Sequence, residues 1–194
     1  MQKLIDLAHI RSTARKIRGI VKKTPLQDSL NYSQKYNSKI FFKREDLQDV
    51  KSFKIRGAYT KILSVEKMRA QNGLVCASAG NHAQGFAVSC SLLDYKGTVF
   101  MPKSTPSLKV SLVKKFGGKN IKIKLIGENF LKAYKAAMDY CIRNRKIFIH
   151  PFDDIKVIEG QATLFLEIIK QTKNPIDYIF IPIGGGGLIS GAIN

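Results

Sequence analysis

The sequence predicts an α/β protein with open, mostly parallel sheets and helices on both faces. Three observations carry that reading. Short apolar runs rich in β-branched and aromatic residues alternate with longer segments of helical spacing; three of the junctions between them are crowded with glycine, serine, asparagine and lysine; and no repeat, low-complexity tract or linker interrupts the alternation.

The strands are expected at Lys39 to Lys43, Gly73 to Ala77, Gly97 to Met101, Asn120 to Ile126, Lys146 to His150 and Asp177 to Ile183. Each run is too short for a stable helix and dense enough in Val, Ile and Phe to be a buried strand. Helices are expected at Ser52 to Glu66, Asn81 to Leu93, Ser107 to Phe116, Glu128 to Arg145 and Ile158 to Lys170. Asp153 and Asp154, just before the last of these, invite reading as a carboxylate dyad, but adjacent acids ahead of a helix read better as its cap. In open parallel sheets ligands bind where strands end and helices begin, so chemistry is sought in those turns.

Composition narrows the classes. The chain has 194 residues, 44% hydrophobic and 24% charged, which excludes a mainly disordered or collagen-like protein. No apolar stretch approaches the roughly 18 residues that span a bilayer, and the amino end is broken by Asp6 without a cleavage-type signal, so a soluble, cytoplasmic protein with no membrane partner is expected. Cys76, Cys90 and Cys141 show no paired short spacing; they read as free thiols, and no metal site is expected. Lys+Arg 33 against Asp+Glu 14 gives a net charge of +19. A nucleic-acid partner would concentrate that charge in one patch with aromatics, whereas these lysines are scattered, so a solvated surface and no specific nucleic acid are expected.

The first turn runs from Arg44 to Tyr59. Ser52 is a plausible N-cap, which sets Lys54 in the first turn of its helix, at the positive end of the dipole and near Lys51 and Arg56. If also partly buried, such an amine loses its proton more easily and can act as nucleophile or base. Position alone favours the plainer reading, one more exposed lysine in a lysine-rich chain. The second turn, Ala77 to Gly85, combines small residues with Asn81, which can cap the helix and hydrogen-bond outward; it suits a carboxylate, and equally a tight turn with an ordinary cap. His82 is assigned no proton transfer. The third turn, Pro182 to Gly191, holds four consecutive glycines that let amides converge on a phosphate. It lacks the Gly-Lys-Ser/Thr of a Walker loop and has Ser190 where a dinucleotide fingerprint wants its third glycine, and a plain flexible turn is the other reading.

Taken together, Lys23-Thr-Pro-Leu26, Phe42-Lys-Arg-Glu-Asp46, Ser52-Phe-Lys-Ile-Arg-Gly-Ala58, Ser78-Ala-Gly-Asn-His82 and Gly184-Gly-Gly-Gly-Leu188 resemble the threonine dehydratase family of fold-type II pyridoxal-phosphate enzymes, with their tryptophan synthase beta-like fold. The resemblance covers nearly the whole chain. It implies that Lys54 carries pyridoxal 5'-phosphate covalently and takes the substrate's α-proton. Asn81 would hydrogen-bond the ring hydroxyl, Phe53 would pack on the cofactor, and Gly184, Gly185, Gly186, Gly187 and Leu188 would cradle its phosphate. Ser78, Ala79, Gly80, Asn81 and His82 would hold the carboxylate of a small amino-acid substrate. The implied reaction turns L-threonine into 2-oxobutanoate and ammonia, or serine into pyruvate, as the first step of isoleucine biosynthesis. Racemases of the same fold tend to carry a second serine at the place of Ala79, so dehydration is expected over racemisation; a serine racemase or serine dehydratase is the nearest alternative, and a non-catalytic basic protein the more distant one. The resemblance also implies a small domain, 70 to 148, inserted in a larger cofactor domain, 1 to 69 and 149 to 194. Because the family continues well past the position of Asn194, the larger domain is expected to be incomplete at its C-terminus, the chain a weakly active or inactive fragment, and the full-length protein a homo-oligomer.

Overall fold

The computed structural model describes residues 5–173 and 175–194. In chain order the elements are α1 (Leu7–Lys16), β1 (Leu26–Asp28), α2 (Leu30–Lys35), β2 (Phe41–Lys43), α3 (Lys54–Leu63), α4 (Lys67–Ala70), β3 (Leu74–Ala77), α5 (Asn81–Leu92), β4 (Gly97–Met101), α6 (Ser107–Gly117), β5 (Ile121–Leu125), α7 (Phe130–Arg143), β6 (Ile147–Phe148), α8 (Ile155–Gln171) and α9 (Gly187–Ala192). Among the described residues no helix is long and apolar enough to cross a membrane.

Four strands form a parallel sheet in the order β5-β4-β3-β6, in register from Leu74 opposite Gly97 to Ala77 opposite Phe100 and from Gly97 opposite Ile121 to Met101 opposite Leu125. Side chains alternate between its faces. Leu74, Cys76, Val99 and Met101 pack with Ala83, Phe86, Ala87 and Cys90 of α5 and Val113 of α6. Val75, Ala77 and Phe100 face Ala137 and Cys141 of α7. Helices therefore cover both faces, as the alternation predicts, and the three cysteines are free and buried in these two cores.

A second layer is built on α3, which lies against both α5 and α8. Glycine makes the approach close. A Cβ on Gly160 would lie 2.4 Å from the Arg56 carbonyl oxygen, and one on Gly57 would lie 2.7 Å from that of Val157, so α3 and α8 meet backbone to backbone. Gly85 does the same for α5, where an added Cβ would stand 3.1 Å from the carbonyl carbon of Lys54. The first turn of α3 is thereby fixed beside the first turns of α5.

Several expectations are corrected. Lys39 to Lys43 contributes only β2, which pairs antiparallel with β1 in a separate two-stranded sheet outside the parallel one. The elements α1, β1 and α2 were not anticipated, because their short polar-rich segments lack a clear period. Asp177 to Ile183 forms no strand: a strand exists only as part of a ladder, and among the described residues nothing pairs with it. Most of its side chains stand in solvent, with Tyr178 82% and Phe180 94% exposed, while Ile181 packs on Leu164, Phe165 and Ile168 of α8. Ser52 does not cap α3. The cap position falls on Phe53 in helical geometry without a side-chain bond, while the Ser52 hydroxyl is buried with no partner. Asn81 likewise is the first residue of α5 and makes no capping bond; Gly80 occupies the cap. Asp154 does cap α8, accepting from the amides of Lys156 at 2.8 Å and Val157 at 3.3 Å, and it pairs with Lys61 at 2.6 Å.

The α3–α8 contact predicts a specific intolerance. Gly160→Ala drives a methyl into backbone that has no rotamer with which to yield, so it lowers unfolding free energy by about 1–3 kcal/mol, an overpacking cost. The shift in the urea midpoint against the unaltered protein measures it.

Candidate active site

Lys54 opens α3 half-buried. Its amine donates to the carbonyl oxygen of Pro151 at 2.9 Å and lies 5.4 Å from the centre of the Phe53 ring. Burial lowers its pKa below the usual lysine value. Of the expected causes, burial is the one that acts, and the neighbouring cations are not. Arg56 is fully buried and spends its charge on Glu45 at 2.8 Å and Glu167 at 2.8 Å, and Lys51 is exposed.

The Ser78–His82 turn joins β3 to α5 at the carboxyl end of the parallel sheet. The Ser78 hydroxyl accepts from the amide of Gly80 at 3.2 Å and braces the turn. Above Gly80 the space is open, since an added Cβ would meet nothing within 4 Å. The exposed Asn81 side chain has no bonding partner among the described residues and can reach a ligand. His82 turns the other way. It is 3% exposed, its Nε2 lies 3.1 Å from the carbonyl oxygen of Ile149, and its Nδ1 is buried with no partner. Burial is the main reason its pKa falls to about 3, with Lys54 and His150 adding to the effect, so the ring is neutral. A neutral ring pointing into the protein offers no charge to a carboxylate, and of the five residues expected to hold one, His82 instead ties the turn to the end of β6.

The glycine turn leads into α9, with Gly186 at φ +85°, in the left-handed region, as its cap. One side of this loop is closed and the other open. A Cβ on Gly185 would fall 2.2 Å from the Phe152 ring and one on Gly187 2.8 Å from the Phe152 carbonyl oxygen, whereas at Gly184 and Gly186 it would meet nothing within 4 Å. Leu188 and Phe53 pack on the same cluster of Leu164, Phe165 and Ile168 on α8.

The segment His150–Phe152, which the sequence reading passed over, joins these parts. Pro151 holds the Lys54 amine, Phe152 seats the glycine loop, and Ile149 just before them receives His82. His150 Nδ1 accepts from the amide of Asp153 at 2.8 Å, and its ring stands edge-on to Phe152 at 4.7 Å. The signal that finds these residues is their place immediately after a parallel strand, the same rule that found the other turns. The arrangement fits a phosphate-bearing aldehyde cofactor. An amine whose charge is disfavoured stands ready to bond a carbonyl carbon, and the open faces of Gly184 and Gly186 leave space where a phosphate would meet backbone amides.

His82 has a measurable consequence. In the unfolded chain the ring takes its proton near pH 6.5, in the folded protein only near pH 3, so the unfolded state binds the extra proton between these values and stability falls as pH drops through that window. His82→Gln removes this contribution, and its denaturation midpoint therefore declines less steeply between pH 6.5 and 4 than that of the unaltered protein.

Residues 17–194 match the family model of the pyridoxal-phosphate dependent enzymes. The chain is 47% identical over 175 residues to the L-threonine dehydratase biosynthetic IlvA of Halalkalibacterium halodurans, covering 90% of this chain and 42% of that protein. It is 46% identical over 188 residues to that of Bacillus subtilis, covering 97% of this chain and 44% of that protein. The chain thus spans less than half the length of these relatives. Among solved structures, the processed form of threonine deaminase isoform 2 from Solanum lycopersicum superposes with a TM-score of 0.86 at 35% identity over 98% of this chain and 53% of that one. Maize serine racemase superposes with a TM-score of 0.91 at 32% identity over 98% of this chain and 56% of that one. With the family model matched over residues 17–194 and relatives 46–47% identical, the chain belongs to the family of pyridoxal-phosphate dependent enzymes.

Proposed function

We propose that the protein dehydrates and deaminates L-threonine to 2-oxobutanoate and ammonia, and serine to pyruvate, in the biosynthesis of isoleucine. The half-buried Lys54 amine, held by the carbonyl of Pro151 next to the Phe152 that seats the glycine loop, carries this reading. Relatives named as biosynthetic threonine dehydratases at 46–47% identity supply the substrate class.

Pyridoxal phosphate supplies an electrophilic carbon for the substrate amine and a ring that accepts the electrons released at the α-carbon. Everything else falls to the chain. The amides of Gly184 to Gly187 and the start of α9 hold the phosphate, Leu188 and Phe53 shape the apolar wall, and Asn81 bonds the ring hydroxyl. Ser78, Ala79, Gly80 and Asn81 position the substrate carboxylate, with His82 anchoring the turn from behind. Nζ of Lys54, whose charge burial disfavours, takes the α-proton and returns a proton to the departing β-hydroxyl, which leaves as water. Ala79 brings no hydroxyl to the place where racemases of this fold tend to carry a second serine, which favours elimination over inversion. The high structural likeness to a serine racemase supports inversion of serine as the second reading.

In this proposal residues 70–148 form a small domain that carries the substrate turn, and the flanking segments form the cofactor domain. The enzyme works in the cytoplasm on a small amino acid, as a homo-oligomer, without a specific nucleic-acid partner.

Purified protein incubated with pyridoxal phosphate turns yellow, and borohydride reduction labels one peptide, the one containing Lys54. Lys54→Ala loses the label, and threonine turnover falls by about 10²–10⁴-fold, the usual worth of a proton-transfer group. Labelling at other lysines instead rejects the site. D-serine accumulating faster than pyruvate rejects the dehydratase in favour of the racemase.

A further inference from the structure

We propose that a cavity of about 540 Å³ between α8 and α1 with the segment that follows it, with Arg56 of α3 in its wall, binds a small organic phosphate carrying two or three phosphate groups on an apolar body. Its volume lies within the range of small-molecule sites, about 300–1,000 Å³.

The charge of its rim identifies the ligand. Arg11, Arg15 and Arg18 line one wall, and Lys23 and Lys170 line the others. Arg11 and Arg15 are four residues apart on α1, where like charges repel across one helical turn. None of the five has an ion pair or side-chain hydrogen bond among the described residues. The acid in the wall, Glu167, is already held by Arg56 at 2.8 Å and Lys43 at 2.5 Å and cannot offset them. Five uncompensated cations around one hollow raise its affinity for anions.

Geometry selects among anions. Arg11 and Arg15 stand one turn apart on α1, about 6 Å at helical rise, and Arg18 follows just beyond the helix end, so the three cations suit a chain of phosphates better than one phosphate or carboxylate. Guanidinium forks bind carboxylate and phosphate oxygens alike in pairs, so it is the greater charge of a polyphosphate that five cations favour over a carboxylate. The floor between the cations is apolar, built from Ala14, Ile17, Val21 and Leu166, and receives the body of an ester. Nucleic acid offers phosphates too, but a hollow of about 540 Å³ suits a small ligand.

The test is titration calorimetry of the purified protein with inorganic triphosphate, inorganic diphosphate, orthophosphate, citrate, an alkyl diphosphate and single-stranded RNA at fixed ionic strength. Triphosphate is expected to saturate at one per chain, at least about tenfold tighter than orthophosphate or citrate, and the alkyl diphosphate to bind more tightly than inorganic diphosphate. Arg15→Glu with Arg18→Glu weakens triphosphate by about tenfold or more, while Lys114→Glu with Lys115→Glu, the same charge change on exposed α6, alters it less than twofold. Equal losses in the two variants, binding without a fixed stoichiometry, citrate as tight as triphosphate, RNA tighter than triphosphate, or no binding at all would each overturn the proposal. Threonine turnover enters none of these readings, so failure here and failure of the proposed reaction are separate results.

Discussion

The guanidinium of Arg56 is the interaction on which the rest of the structure depends. It donates to Glu45 at 2.8 Å through both Nε and Nη2, to Glu167 at 2.8 and 3.0 Å, and to Thr163 at 3.2 Å. Burial opposes its charge, and the two carboxylates more than offset that, so its pKa lies above the ordinary arginine value. A charge cluster of this kind adds little net stability but is costly to break, since any one member left alone is a buried, unpaired ion. It therefore acts as a register pin. It sets the segment before α3, α3 itself and α8 at fixed relative positions, and the Gly57–Gly160 contact lets the two helix backbones close around it.

With α3 pinned, its first residue has one place to go. Lys54 emerges between the turn that opens α5 and the segment that leaves β6, and Gly85 allows the former to approach to van der Waals contact. The segment after β6 then does two things at once, holding the lysine amine through Pro151 and seating the glycine loop through Phe152. His82 closes the circuit from α5 back to Ile149. The site is thus a junction where parts distant in sequence each fix the next, and its main electrostatic property, an amine reluctant to be charged, arises from burial at that junction.

The cavity behind α3 belongs to the same scaffold. Arg56 and Glu167 form part of its inner wall, while the arginines of α1 and the start of the following segment form its rim. One helix therefore has a half-buried lysine at its head and contributes Arg56 to the wall of a basic hollow.

How much of this is legible in the sequence depends on whether each feature is local. The alternation of apolar runs and helical spacing determined the α/β class, the covered parallel sheet and most helix positions to within a few residues. The three turns stood out because glycine, serine, asparagine and lysine at strand ends have direct backbone and chemical uses. Tertiary structure alone decided the rest, each time because the deciding partner is remote. Asp177 to Ile183 has every local mark of a strand, yet a ladder needs a neighbour and none is described. Ser52 and Asn81 have capping chemistry, but packing starts their helices one or two residues from where a cap would serve. Arg56 reads locally as a cation beside Lys54, and only the approach of Glu45 and Glu167, eleven and 111 residues away, turns it into a neutralised pin. Pro151 lies 97 residues from Lys54 and His82 67 from Ile149, separations at which side-chain identity carries no distance information until the sheet and helices have closed.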